Sequence, residues 1–315
     1  MRFIHCSLLI FSLLAVTAAR AVIVYGPGGN STTYTTLPTI EGGWIWNYVG
    51  SAGGASAVYL GDYNGSYWVI TAAHVGANGF TLGGTAYQAI SGSGIRITNT
   101  DGLLTDLLLY QISSNPGLAN LTLSPVSPAT GSLVIMIGNG RNRSDSLDTW
   151  WVDIDTDPYT WSSSWFPEED GSVQAYAYAN GNTKRWGINM VESFEVIWET
   201  TSTFVTKFDA SSGEAQGSTG DSGGGVFFLN QVTGEWELAG IISAIGYLAG
   251  DKVTAGVDLT YSIDLATYYD SIMAAIWSAS PSPIPERATG ALWLGILLGA
   301  GAIWRRRSAR QSPSR

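Results

Sequence analysis

Short apolar runs of four or five residues, each bounded by turn-forming residues, recur along the chain between residues 22 and 264. Runs of this length and spacing are typical of strands in a sandwich or in barrels, and they disfavour βαβ units. The sequence therefore predicts an all-β protein. The clearest of these runs are Ala57–Leu60, Tyr67–Ile70, Leu107–Tyr110, Leu133–Ile137, Gly225–Leu229 and Leu238–Ile242.

A single stretch follows a different pattern. In Leu265–Trp277, apolar residues that include Ile272 and Ile276 recur at helical spacing, which predicts one C-terminal helix after the strands. The Pro-containing segment 124–128 predicts a connection between two halves, residues 22–125 and 126–278. The sequence contains no repeat of 20–50 residues, so it predicts neither a solenoid nor a propeller.

Composition excludes several classes of site. Residues 22–284 hold seven of the 15 Lys and Arg but 24 of the 25 Asp and Glu, so nucleic acid is not an expected partner. The chain has one Cys, Cys6, and two His, His5 and His74. Once residues 1–21 are removed, a disulfide framework, a Cys nucleophile and a zinc site of Cys or several His are all excluded. Chemistry that needs an imidazole must use His74, and we predict no metal site and no cofactor.

The first 21 residues have the organisation of a secretory signal peptide. A basic residue follows the initiating Met, residues 6–16 form an apolar run, and small residues stand at positions 19 and 21, where a signal peptidase reads the chain. The apolar run is too short to span a bilayer comfortably. This favours cleavage before Val22 over a retained N-terminal helix.

The C-terminal region predicts a linker followed by a membrane segment. Residues 279–284 are rich in Ser and Pro, as linkers are. Residues 288–304 carry no charge and would form about 25 Å of helix, and the three arginines that follow are expected to stay cytoplasmic. Segment 285–315, with its Pro-Glu start, apolar helix and basic end, resembles a PEP-CTERM sorting signal. The resemblance implies a Gram-negative host, an exosortase-like processing enzyme and membrane contact through the helix; a plain single-span anchor is the alternative.

Two short motifs carry the chemistry. Thr71-Ala72-Ala73-His74 follows a predicted strand directly, which places an imidazole among small residues at a strand end. Gly220-Asp221-Ser222-Gly223-Gly224 precedes another strand. A nucleophilic Ser needs its own N–H and a neighbouring N–H to converge on a developing oxyanion, and Gly220 can adopt the backbone angles for this. Taken alone, each motif has an alternative, a structural His or an ordinary Gly-rich turn.

Together, and in this order, the two motifs resemble those of the trypsin/chymotrypsin-like serine endopeptidases, over roughly residues 40–278. The resemblance implies two six-stranded antiparallel Greek-key barrels, the first carrying the His and the Asp and the second carrying the Ser, with a C-terminal helix. It implies that His74 is the general base, that Ser222 is the nucleophile, and that Gly220 and Ser222 supply the oxyanion-hole amides.

The third member of the triad is expected between these motifs. Asp106 opens the Leu107–Tyr110 run, as the triad Asp does in that family, and a buried carboxylate there would hold the His tautomer. Asp101 is the alternative, although Asp101 and Gly102 together predict a turn. The Ser motif also fits the nucleophile elbow of α/β-hydrolases, but that fold needs its His after the Ser, and no His follows Ser222.

The resemblance extends to the substrate pocket. It implies that Gln216, Ser243 and Gly256 line this pocket and that the Ser243 side chain also supports the triad Asp. Trypsins carry an Asp at the position of Gln216, so cleavage after Lys or Arg is not predicted.

Many members of that family become active when a new N-terminal amine pairs with the Asp before the Ser, here Asp221. The segment Ile40-Glu41-Gly42-Gly43 is loosely similar to the new N-terminus of those members. This predicts, as a hypothesis, a propeptide of residues 22–39.

These observations predict an exported or cell-surface serine endopeptidase that cleaves protein or peptide substrates through an acyl-enzyme. A catalytically silent homologue that binds protein or glycan at the surface is one alternative. An esterase on the same scaffold is a second.

Overall fold

The computed structural model describes residues 22–26, 34–39, 42–153, 155–156, 160–166, 171–209, 213–246, 253–255 and 259–279. The predicted signal peptide, the linker from residue 280 and the sorting segment lie outside these ranges. Among the residues described, no helix has the length and apolar character needed to cross a membrane.

The described elements are mostly strands, as the apolar runs predict. The first half contains β1 (Ile23–Val24), a 3₁₀ helix (Gly43–Tyr48), β2 (Val49–Ala52), β3 (Ala55–Tyr63), β4 (Ser66–Ala72), β5 (Phe80–Leu82), β6 (Thr85–Tyr87), β7 (Ile95–Thr98) and β8 (Leu104–Ile112). The second half contains β9 (Leu133–Gly138), β10 (Arg141–Asp153), β11 (Thr160–Ser162), β12 (Gly171–Asn182), β13 (Arg185–Ile197), β14 (Thr201–Lys207), β15 (Ala215–Gln216), β16 (Gly225–Leu229), β17 (Trp236–Gly246), β18 (Val253–Ala255), β19 (Leu259–Asp264) and α1 (Leu265–Ala279).

The first half differs from the expected six-stranded barrel. Strand β1 pairs with β15, and the other seven strands form a sheet in the order β6-β5-β2-β3-β4-β8-β7. The reason lies in β8, because two segments share its outer edge. Strand β7 pairs along β8 as far as Leu109, and residues 88–90 pair with its end, where the Ile90 N–H donates to the Gln111 carbonyl at 2.8 Å. The sheet therefore closes on itself through the short bridge between residues 88–90 and β8, and β7 is an additional strand on the same edge of β8.

The second half is a closed barrel of six antiparallel strands in the order β13-β14-β19-β17-β16-β9, which confirms this part of the expected fold. Strands β10, β11, β12 and β18 form a separate four-stranded sheet. The connection between the halves runs beside β17, where the Ser124 N–H donates to the Leu238 carbonyl at 2.9 Å. The observed architecture is consistent with the expected chymotrypsin-like arrangement.

The C-terminal helix is confirmed and extends to Ala279. Its buried residues Leu265, Tyr268, Ile272 and Ile276 recur every three or four positions, so one face of the helix closes the core. Trp277, the last residue of the predicted helix, is 54% exposed and packs edge-on against Tyr63.

Candidate active site

The pairing of β4 with β8 brings His74 to Asp106. Ala72 at the end of β4 lies opposite Leu107, so the next two residues of the chain reach Asp106. The Ala73 N–H donates to the Asp106 carbonyl at 2.9 Å, and the His74 N–H donates to Asp106 Oδ1 at 3.0 Å. The imidazole Nδ1 lies 3.1 Å from Oδ1 and 2.9 Å from Oδ2 of the same carboxylate.

Asp106 is only 4% exposed, and groups from the second half also hold it in place. The Ser243 hydroxyl donates to Oδ2 at 2.6 Å, and the Asp106 N–H donates to Thr201 Oγ1 at 3.0 Å. The alternative acid, Asp101, lies in an exposed turn, where its N–H donates to Asn99 Oδ1. Of the two acids, Asp106 is the one that the structure brings to His74.

The electrostatics of the pair follow from this geometry. The hydrogen bond to Asp106 raises the pKa of His74 above its usual 6.5, and partial burial of the ring opposes the shift. The His74 side chain stays 46% exposed, so one side of the imidazole faces the open cleft. An imidazole in this setting can accept a proton and hold it as a stabilised imidazolium.

Ser222 lies in a tight turn that requires glycine. Gly220 has φ +93° and Gly223 has φ +84°, a left-handed backbone that other residues rarely adopt. A Cβ on Gly223 would lie 2.0 Å from the Ser56 carbonyl oxygen, so the turn packs directly on β3. The Ser56 N–H in turn donates to the Ser222 carbonyl at 2.9 Å, and this hydrogen bond fixes the position of Ser222 relative to β3.

The backbone N–H groups around Ser222 fall into two sets. Those of Asp221, Gly223 and Gly224 donate to the carbonyls of Ser218, Ile242 and Asp221 at 2.7–2.9 Å. Within the described residues, the N–H groups of Gly220 and Ser222 donate to no protein acceptor. These are the two amides that the sequence assigned to an oxyanion hole, and they remain available to an anion.

Asp221 is fully buried beneath the turn. Its carboxylate accepts hydrogen bonds from the Gly140 N–H and from the Ser218 N–H and hydroxyl, each at 2.8 Å, and the nearby Val22 N–H also lowers its pKa. Burial raises the pKa of Asp221 to about 6, because desolvation outweighs these hydrogen bonds. A Cβ at Gly138 would lie 2.2 Å from its carboxylate, so a glycine is needed beside it.

Two cavities adjoin at the site. One, of about 330 Å³, contains Ser222 and Gly220 in its lining, and the other, of about 400 Å³, contains His74 and Asp106. Within the described part of the chain, no hydrogen bond joins the His74 ring to the Ser222 hydroxyl. Such contacts are often long in ligand-free enzymes and shorten when substrate binds.

The remaining predicted site residues have different positions. Ser243 lines both cavities. Gln216 is buried in β15, opposite Ile23, and it is not among the residues that line the first cavity. Gly256 lies outside the described residues.

Several residues near the site were missed by the sequence analysis, Trp198 and Val22 among them. Trp198 lines both cavities, and Val22 contacts Asp221. The predicted signal-peptide cleavage before Val22 was a signal for the second contact, but nothing in the sequence distinguishes Trp198 from the chain's other tryptophans.

Comparisons with known proteins give the following findings. No family model matches the sequence, and no curated protein matches it. Among solved structures, the fold is similar to an HtrA-type protease, AlgW, with a decapeptide, at 18% identity and a TM-score of 0.39, covering 70% of this chain and 51% of that one. A variant of AlgW, also with a decapeptide, is similar at 17% identity and a TM-score of 0.40, covering 70% and 50%. The chain spans about half the length of these structures.

Proposed function

We propose that the protein is a serine endopeptidase that acts through an acyl-enzyme. The observation that carries the proposal is the contact between the His74 Nδ1 and the buried Asp106 carboxylate, in a cavity that adjoins the one containing Ser222. Asp106 holds the His74 tautomer with Nδ1 protonated, which leaves Nε2 to accept the Ser222 proton. Ser222 Oγ then attacks the peptide carbonyl, and the protonated His74 returns the proton to the leaving amine.

The turn at Ser222 supports the second requirement of this chemistry. As Oγ bonds to the carbonyl carbon, the carbonyl oxygen gains negative charge. The N–H groups of Gly220 and Ser222 can donate to that oxygen, and removing one such donor in an oxyanion hole typically slows catalysis by about 10²–10³-fold. Water then attacks the acyl-enzyme with His74 as the general base, and the acid product leaves.

The proposal includes export and activation. Cleavage of the signal peptide before Val22 would create an α-amino group at the atom that already contacts Asp221. Activation would then accompany export and would need no propeptide of residues 22–39; Ile40 lies outside the described residues. The expected substrates are proteins or peptides outside the cytoplasm, and the expected processing partner of the tail is an exosortase-like enzyme.

A silent binding homologue is the second candidate, because the His74 ring and the Ser222 hydroxyl are not hydrogen-bonded in the described structure. A fluorophosphonate probe separates the two, because it reacts only with an activated serine. We expect the exported protein to be labelled at Ser222, and Ser222→Ala and His74→Ala to abolish or sharply reduce labelling. Ser278→Ala, on the exposed end of the helix, is the matched control and should label normally.

Correctly folded, N-terminally mature protein that resists the probe would instead favour the silent homologue. Turnover separates a peptidase from an esterase on the same scaffold. Hydrolysis of small esters without cleavage of any member of a peptide library would support the esterase.

A further inference from the structure

Trp198 occupies an unfavourable position at the rim of the site. It lies in the turn between Ile197, the end of β13, and Thr201, the start of β14. Trp198 has φ 50° and Glu199 has φ 62°, both in the left-handed region that residues with bulky side chains rarely adopt. The indole is nevertheless 58% exposed, so this conformation does not serve to bury it. A strained backbone that presents an exposed aromatic ring beside a candidate active site points to a functional role.

The turn is fixed to the site on its C-terminal side. Thr201 accepts the hydrogen bond from the Asp106 N–H, so the turn ends next to the residue whose carboxylate orients His74. The Tyr268 hydroxyl of the C-terminal helix donates to the Thr200 carbonyl at 3.3 Å and accepts from the Ser202 N–H at 2.7 Å. Hydrogen bonds therefore hold the turn that carries Trp198 in place, although the Trp198 side chain is exposed.

Trp198 is shared by the two cavities. The cavity beside Ser222 has an apolar wall of Ile242, Ala244 and Ile245, and none of its described lining residues carries a charge. The cavity beside His74 is also lined by Arg96. Trp198 and Ser243 are the two residues common to both cavities. An extended substrate chain that entered both cavities would pass next to the Trp198 indole.

The edge of β17 provides a path for such a chain. Its pairing with β16 ends at Ile241, whereas its pairing with β19 continues to Gly246. Among the described residues, no strand pairs with the other edge of residues 243–246. An extended peptide could add to this edge as a further strand. Successive side chains of a strand point to opposite sides, so two consecutive residues would enter different cavities.

We propose that Trp198 is a specificity-determining residue that separates two substrate subsites. The residue directly before the cleaved bond enters the uncharged cavity and is apolar. The residue that precedes it packs on the Trp198 indole beside His74 and is aromatic or large and aliphatic. This inference rests on the proposed function, since it concerns the substrate of the same site.

A matched peptide series tests the proposal. One apolar residue is kept before the cleaved bond, and the preceding residue is Phe, Leu, Asp or Gly. For the exported protein we expect kcat/KM to be at least tenfold higher with Phe or Leu than with Gly. Trp198→Ala should lose this preference mainly through a higher KM for the Phe and Leu peptides, so that their kcat/KM approaches that of the Gly peptide, and Trp198→Phe should retain most of the preference.

The control variant is Trp165→Ala, which removes another exposed indole, one that lines neither of the two cavities, and should leave the series unchanged. Fluorophosphonate labelling of each variant shows whether Ser222 remains activated. Full labelling with unaltered selectivity in Trp198→Ala would overturn the inference, as would a preference for Asp that depends on Arg96. Absence of both labelling and cleavage in the unmodified protein would overturn the proposed function itself.

Discussion

The Val22 backbone N–H lies beside the carboxylate of Asp221, the residue directly before Ser222, and lowers the pKa of that carboxyl. Both residues are fully buried. No Lys or Arg side chain of the described residues forms a salt bridge with Asp221, so its negative charge is stabilised there by neutral donors alone. Val22 also has φ 34°, a backbone conformation that is unfavourable for a β-branched residue with another residue before it. Removal of Ala21 would abolish that constraint and convert the neutral N–H into a cationic amine.

The first prediction concerns this terminus. A chain that begins at Val22 should unfold with a free energy roughly 3 kcal/mol larger at neutral pH than a chain that retains Ala21, because an ion pair replaces an unpaired buried charge. It should also react faster with the fluorophosphonate probe, since Asp221 positions the Ser222 turn. Urea denaturation and labelling rates of the two chains provide the measurement. Equal stability and equal rates would exclude a role for the Val22 amine.

The second prediction is the pH dependence of the chain that retains Ala21. Burial raises the pKa of Asp221 from 3.8 to about 6, so the folded state binds this proton more tightly than the unfolded state. Its stabilising contribution is complete below the unfolded pKa and is lost as the pH rises through about 6. This loss lowers the free energy of unfolding by about 3 kcal/mol. We expect Asp221→Asn to remove this loss in urea denaturation between pH 4 and pH 7, and Asp101→Asn, in an exposed turn, to keep it.

The third prediction concerns His74. Because the Asp106 hydrogen bond raises the pKa of His74, the rate of labelling at Ser222 should fall as the pH decreases through a value above 6.5, where the imidazole becomes protonated. Asp106→Asn should lower the rate by roughly 10³–10⁴-fold, because the tautomer is no longer fixed. It should also move the midpoint of the pH profile downward. A profile that does not shift in Asp106→Asn would show that His74 is not the titrating base.

Ser243 offers a smaller perturbation of the same pair. Its hydroxyl donates to Asp106 Oδ2 at 2.6 Å from the second half of the molecule. Ser243→Ala should shift the same midpoint upward, since a carboxylate with one fewer donor holds the imidazolium more strongly. An unchanged midpoint would show that this hydrogen bond does not tune His74.

Local patterns in the sequence predicted the strands well. The six apolar runs all lie within strands, because each run is bounded by residues that end a strand. The helix was predictable for a similar reason, since its buried residues follow a single face. The way in which the first half closes could not be predicted. Both β7 and residues 88–90 pair with the edge of β8, and this arrangement depends on pairing between segments that are distant in the sequence.

The candidate site shows the same division. His74 and Asp106 could be predicted to meet, since each stands at one end of a strand in a motif of recognisable composition. The contact of Val22 with Asp221 joins residues nearly 200 positions apart, and the turn that presents Trp198 depends on Tyr268 of the final helix. Such contacts depend on tertiary packing, which local composition does not encode.

The last prediction tests the packing of the Ser222 turn against the first half. Gly223 and Gly65 have nearly the same backbone, with φ of 84° and 81°, but a Cβ on Gly65 would meet no atom within 4 Å. A Cβ on Gly223 would lie 2.0 Å from the Ser56 carbonyl oxygen and 2.1 Å from Thr71 Oγ1. Gly65→Ala should therefore lower the free energy of unfolding by about 1 kcal/mol, through backbone strain alone.

Gly223→Ala should lower the free energy of unfolding by about 3 kcal/mol more than Gly65→Ala does, because a backbone carbonyl must move to make room for the new Cβ. The displaced turn should also weaken fluorophosphonate labelling of Ser222 in protein that remains folded, whereas Gly65→Ala should label normally. Denaturation midpoints and labelling rates of the two variants provide the comparison. Equal losses of stability would mean that the turn is not packed on β3, and normal labelling of folded Gly223→Ala would mean that the position of Ser222 does not depend on that packing.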